Sequence, residues 1–364
     1  MIPAIAGRIP LVRRLKAPAL PLEERIAHLT GLTVAPAGAG HHDLVARASG
    51  VLNYAALIAS DVGMPDLAAE LCWRQHRTFA KAGNLTGGIA VMSLMPLVNI
   101  SRLLTREGDG EAAYHVLTCL YRAAQKRGTT EIHGHTVDLS ALISTDADHR
   151  KVCEELWTTV LIDGARALAR IGRWTEAADA MNAYRGVGKR LLDGRQITIM
   201  ALMERGLDQH ALDMIDATAP TEPWETTVAA LLRAHCLSAS SQPVPDLDRL
   251  LRETAALLAV PDPSYAVFQT RAGLTALDLP HDGTDEHVSL VTEALAITAA
   301  LDAYAARETL HHPAARRRLT EAQQQRLGAV ITEAGLAGGA LSTHHLHAVN
   351  EAVEMAETAL ARLL

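Results

Sequence analysis

The chain has 364 residues, 49% of them apolar and 21% charged, enough to bury sizeable cores and too apolar for a disordered polymer. Aromatic residues make up only 3%, Phe occurs twice, and the Ala/Leu-rich composition excludes a fold built chiefly from strands. A net charge of −7, from 34 basic and 41 acidic residues, argues against direct nucleic-acid binding as the main task.

The expected class is all-α. Prolines at 3, 10, 18, 21 and 36 interrupt the first forty residues, where only Leu22–Leu32 has a helical pattern, so residues 1–40 are expected to form a mostly irregular N-terminal arm. Arg8, Arg13, Arg14 and Lys16 lie among and after its apolar residues, whereas a secretory signal places its cations before an apolar run. Cys72, Cys119, Cys153 and Cys236 form no C-x-x-C pair, so reduced thiols and a cytoplasmic location are expected. Residues 89–100, the most apolar stretch, are broken by Ser93, Pro96 and Asn99 and read as a buried helix, short of the ~20 residues of a membrane span. No membrane contact is expected.

From residue 41 onward, Ala/Leu-rich segments alternate with short Gly, Asp or Pro breaks, and the breaks repeat. Gly63, Gly108, Gly172 and Gly206 are each followed five residues later by Ala68, Ala113, Ala177 and Ala211. Four residues before each glycine stand Ala59, Leu104, Leu168 and Leu202; seven before stand Ala56, Ser101, Ala165 and Ile199, three of them small enough for close helix approach. The glycine supplies the left-handed conformation that ends a helix, and acidic residues such as Asp66, Glu111 and Glu176 begin the next. Each unit is predicted to be helix, tight turn, helix.

Residues 165–184, ARALARIGRWTEAADAMNAY, resemble a tetratricopeptide repeat: a small residue, Leu, the turn glycine, an aromatic, Glu-Ala, then a large apolar residue. Gly172 and Gly206 are 34 residues apart, the length of that repeat, and Pro223 falls where the family often ends its second helix. The other separations are 45 and 64 residues, and most copies lack the aromatic signature. The resemblance implies a solenoid of antiparallel helix pairs over 41–261, with an insertion near 128–147. Residues 262–364 would form a C-terminal helical segment that continues or caps the solenoid. Helices are expected at 224–239, 247–259, 265–277, 287–309, 319–335 and 342–364. Proteins similar to this family bind peptides or other proteins along an inner wall, and in bacteria such solenoids form the ligand-sensing part of helix-turn-helix regulators. The first forty residues are too few and too proline-broken for that DNA-binding domain, so the implied protein is a stand-alone regulatory or accessory scaffold, with a homodimer left open.

Candidate binding residues lie in YRGVGKRLLDGR, which places Arg185, Lys189, Arg190 and Arg195 within eleven residues; in a helix, Arg185 and Lys189 would share a face and could hold an acidic peptide or a phosphate. This is no P-loop, because Ala183 stands where the first glycine is needed and Arg190 replaces the Ser or Thr. Trp174 is assigned to the core, and Trp224 is a candidate groove residue. His133 and His135, near Glu131 and Asp138, are weak metal candidates: they would share one face of a strand, but the insertion is expected to be a loop or a short helix. No cofactor motif or catalytic set is present. The alternative to a binding scaffold is a group-transfer enzyme using residues 131–138 and the 185–195 cations.

Overall fold

A computed structural model describes residues 4–140, 143, 145–280 and 286–364, and helices account for most of them. Parts of the expected insertion (141, 142 and 144) and of the linker before residue 286 lie outside the described residues. The chain divides into two compact units: unit 1 comprises Met1–Pro21 and Leu168–Ala334, and unit 2 comprises Leu22–Ala167 and Gly335–Leu364. The boundaries expected at 40/41 and 261/262 therefore fall inside units.

Unit 2 contains α1 (Leu22–Leu32), α2 (His41–Val62), α3 (Pro65–Ala82), α4 (Gly87–Met92), α5 (Met95–Glu107), α6 (Gly110–Lys126), α7 (Asp146–Thr159) and, from the other end of the chain, α19 (Thr343–Leu363). A π-helical turn, Val160–Gly164, leads into α8 (Ala165–Arg170). In unit 1 follow α9 (Trp174–Ala183), α10 (Asp193–Glu204), α11 (Asp208–Asp216), α12 (Pro223–Ala239), α13 (Leu247–Leu258), α14 (Ala266–Leu277), α15 (Glu286–Ala299), α16 (Ala303–His311), α17 (Pro313–Arg318) and α18 (Glu321–Glu333). The helix expected over 287–309 is two, because Asp302 breaks it and accepts a hydrogen bond from the Ala305 N–H that starts α16.

All four repeat glycines sit at corners with positive φ: +90° at Gly63, +91° at Gly108, +79° at Gly172 and +68° at Gly206. At each, the N–H of the following residue donates back to the carbonyl four residues before the glycine: Met64 to Ala59, Asp109 to Leu104, Arg173 to Leu168 and Leu207 to Leu202, all within 2.8–3.0 Å. This is the six-to-one bond of a Schellman turn. The carbonyls of Met64, Asp109, Arg173 and Leu207 then accept from Ala68, Ala113, Ala177 and Ala211, opening the next helix. Those four alanines are fully buried. The small residues seven before the glycine admit this contact, and Ser101 donates through its hydroxyl to the Ala113 carbonyl across the α5–α6 pair at 2.9 Å. Helices α2 with α3, α5 with α6, and α10 with α11 pack against each other. Gly108→Ala leaves space for the new methyl but forces an L-residue to φ +91°, so it is expected to cost about 1–2 kcal/mol in urea unfolding.

By length and mean hydropathy (1.5) alone, Gly87–Glu107 would suffice to cross a membrane. It is not the single buried helix expected: α4 and α5 meet at Ser93–Leu94, and Leu97, Val98 and Ile100 pack inside unit 2. The C-terminal helix α19 lies on α1, α2 and α3, burying Val349, Ala352, Val353, Ala356 and Leu360, a stripe at helical spacing.

A second difference lies in the insertion, where Thr129–Ile132 and His135–Asp138 form an antiparallel hairpin. Its turn, His133 at φ +48° and Gly134 at φ +75°, has both central residues left-handed, the two-residue connection that matches strand twist. Alternation buries Ile132 and Val137 against the core.

The N-terminal arm is a strap on unit 1. Ala4–Arg8 form a short 3-10 turn, and residues 11–21 run without regular structure. Ile5, Ile9 and Leu11 are buried. Gln196, itself fully buried, accepts from the Leu11 N–H at 2.7 Å and donates to the Leu11 carbonyl at 2.8 Å, reading the strap's backbone rather than its side chains.

Candidate functional site

Unit 2 holds a cavity of about 390 Å³ between α2 and α5, the first helices of two adjacent pairs, with Cys72 of α3 among its lining residues. Its walls are mainly apolar, from Ala56 and Leu57 on α2 and Met95 and Leu103 on α5. Two polar cross-links join the helices beside it. Asn99 donates through its amide to the Asn53 side-chain oxygen at 3.0 Å, and Arg106 donates to the Ser60 hydroxyl at 2.9 Å. Arg102 donates to the Asn99 oxygen at 3.2 Å and pairs with Asp163, so the Asn99 amide is held in one orientation. The amide donors of Asn53 have no partner among the described residues, which makes them available to a carbonyl. Burial pushes the Cys72 thiol up to about 12, so it is an inert wall and not a nucleophile.

Below this wall, Asp61 accepts from Arg25 at 2.6 Å and from Arg106 at 2.8 Å. The Arg25 and Asp61 side chains are 2% and 1% exposed. This ion pair fixes the C-terminal end of α2, where Asp61 also holds Arg106 of α5 beside the cavity.

The cations proposed from the sequence lie in unit 1 and do not form one site. Helix α9 ends at Ala183, Arg185 takes φ +56°, and residues 186–192 are not helical, so Arg185 and Lys189 share no helical face; both are exposed. Arg190 reaches Glu222 at 3.1 Å and the fully buried Glu225 at 2.5 Å. Burial raises the Glu225 carboxyl, but hydrogen bonds from Arg190, Thr221 and the Leu191 N–H outweigh it and hold the group below the ordinary carboxylate range. Arg195, 8% exposed, donates to the carbonyls of Gly188 and Met214 and to the Thr218 hydroxyl. These two arginines are therefore structural clamps on the 186–192 loop. The glycines there serve packing too: a Cβ on Gly194 would stand 2.3 Å from the Gly186 carbonyl oxygen.

Trp224 is 4% exposed, packs edge-on to Phe268 at 5.6 Å, and lines a cavity of about 520 Å³ in unit 1. His133 occupies the hairpin turn, while His135 stacks on Trp73 at 4.0 Å, so the two do not present one strand face. Among the described residues no group of three or more His, Cys, Asp or Glu could hold a metal.

His235 gives unit 1 an acid-sensitive point. It is 6% exposed, its Nε2 lies 2.8 Å from the Thr275 carbonyl, and burial, with the nearby Arg8, depresses its pKa to about 4. The neutral ring is the folded form, so this contribution is complete above pH 6.5 and is lost as pH falls from there toward 4. The loss is expected to reach about 3 kcal/mol, and His235→Gln, which keeps a donor for Thr275, should remove about half of the acid sensitivity of unit 1 over that range in urea titrations, the rest lying with His312, which burial also depresses to about 4.

Sequence reasoning missed Asn53, Asn99, Arg102 and Arg106. Once the corners mark the first helix of each pair, the signal is the placement of Asn99, Arg102 and Arg106 at spacings of three and four on α5, with Asn53 on the facing helix α2. Compared with known proteins, the chain matches no protein-family model, no curated protein and no solved structure.

Proposed function

We propose that the chain is a non-catalytic peptide- or protein-binding scaffold of tetratricopeptide-like helix pairs, acting as a regulatory or accessory protein. The observation that carries this reading is the cavity between α2 and α5, apolar at its walls and crossed by the Asn53–Asn99 pair. An extended peptide can place an apolar side chain between Leu57 and Leu103 while Asn53 donates to one of its carbonyls. The equivalence of the four glycine corners supports the repeat reading behind it.

The test is selection from a phage-displayed random peptide library on the immobilised full chain, followed by affinity measurement on synthetic winners. Asn53→Ala/Asn99→Ala is expected to weaken them at least tenfold, and Leu57→Glu to abolish binding. A library that yields no binder, or winners that bind both variants as well as the parent, would overturn the reading.

A further inference from the structure

The strap on unit 1 has two halves of different character. Residues 5–11 are anchored by buried Ile5, Ile9 and Leu11. Beyond them the contacts are mostly polar, and of residues 12–20 Ala19 alone is buried. Arg13 lies 3.7 Å above the Tyr265 ring and 4.0 Å from Glu222, Arg14 pairs with Asp193, and Lys16 lies 3.7 Å above the Tyr304 ring. The backbone is held at only a few points, among them Lys16 N–H to the Ser264 carbonyl at 3.0 Å and Ala19 N–H to Asp302 at 2.8 Å. Leu15 is 76% exposed. The ion pair and cation–π contacts of the exposed Arg13 and Lys16 contribute little each, so residues 12–20 can lift while the anchor stays, the main cost being the contacts that Arg14 and the Ala19 N–H give up at the buried Asp193 and Asp302.

Arg13 stands at the cavity of about 520 Å³ between α12, α13 and α14. The cavity carries aromatic rings from Trp224, Tyr265 and Phe268 and carboxylates from Glu222, Glu253 and Asp262. The Trp224 indole N–H is buried and has no acceptor, although buried indoles ordinarily find one. Aromatic rings ringed by carboxylates fit a cation. The strap supplies the matching chemistry: residues 4–21 contain four cations and no Asp or Glu.

We infer that this cavity and the Tyr265–Tyr304 track form a second binding site, for an extended basic peptide of a partner, and that residues 12–20 are a built-in latch that occupies its mouth. The incoming peptide replaces Arg13 over Tyr265 and places an arginine or lysine among the carboxylates. Because the latch is tethered, it competes at high local concentration and holds the resting affinity down. This goes beyond the α2–α5 site, resting on the binding-scaffold reading only in taking the chain to be a binder.

The test is fluorescence anisotropy with a labelled peptide of the sequence of residues 12–20, VRRLKAPAL, on the full chain. The unlatched variant Arg13→Ser/Arg14→Ser/Lys16→Ser is expected to bind it at least tenfold more tightly than the parent. Charge reversal of the peptide's three cations should abolish binding, as should Ala256→Trp, which adds bulk from an exposed position lining the cavity. Should the triple variant lose its cooperative melt, Lys16→Ser alone carries the comparison, with a smaller gain of about threefold. Equal affinity of unlatched and parent chains, or binding that survives Ala256→Trp, would overturn the inference. Neither outcome touches the α2–α5 site, whose test uses Asn53 and Asn99.

Discussion

Asp61→Ala is expected to destabilise unit 2 by about 3–5 kcal/mol, because removing one member of a buried ion pair leaves the other charge without compensation. Asp61 holds two guanidiniums, the buried one of Arg25 and the more exposed one of Arg106. Its carbonyl also accepts the Ala337 N–H at 2.8 Å, joining the end of α2 to the segment that leads into α19. The effect should be asymmetric. Arg106→Ala removes an exposed partner and is expected to cost about 1 kcal/mol or less, while loosening Ser60 at the cavity. Urea unfolding of the two variants, followed by amide exchange in α2, makes the comparison; equal losses would show that the Arg25–Asp61 contact is solvated.

Trp174→Ala is expected to cost about 3–5 kcal/mol, the range for deleting a buried aromatic side chain. Trp174 is completely buried where α9 begins, two residues past the Gly172 corner. The adjacent Thr175 donates from its N–H and hydroxyl to Glu204 of α10, at 3.0 and 2.8 Å, so the ring sits where two helices are already tied. Its indole N–H has no acceptor, so Trp174→Phe discards no hydrogen bond and should lose less than half as much. A Phe variant as unstable as the Ala variant would contradict this, pointing to a specific role for the indole.

The features legible in the sequence are those set by local chemistry. Helix α1 could be bounded at Leu22 and Leu32 because Pro21 and a Thr-Val-Ala-Pro segment flank it. The four corners were legible because a left-handed residue is a backbone requirement that glycine meets cheaply, and the buried alanine five residues on follows from close helix approach. The hairpin at 129–138 was not expected, although Thr129, Thr130, Ile132 and Val137 are β-formers around a His-Gly turn; four-residue strands give too little alternation against a helical background. Pairings between distant residues leave no local mark. Gln196 on Leu11, Arg190 on Glu225 and α19 on α2 are of this kind, which is why the sequence groups Arg190 and Arg195 with the exposed Arg185 and Lys189, although the first two are engaged by partners within unit 1. The cavity residues share that difficulty, since Asn53 and Asn99 acquire meaning only once α2 and α5 are placed side by side.

The most direct measurement is hydrogen–deuterium exchange of the full chain with and without a library-selected peptide at saturating concentration. Slower exchange should be concentrated in residues 50–60 of α2 and 95–106 of α5, and should vanish in Asn53→Ala/Asn99→Ala. Protection confined to unit 1, or no change in α2 and α5 at full occupancy, would contradict the assignment of that wall as the binding site.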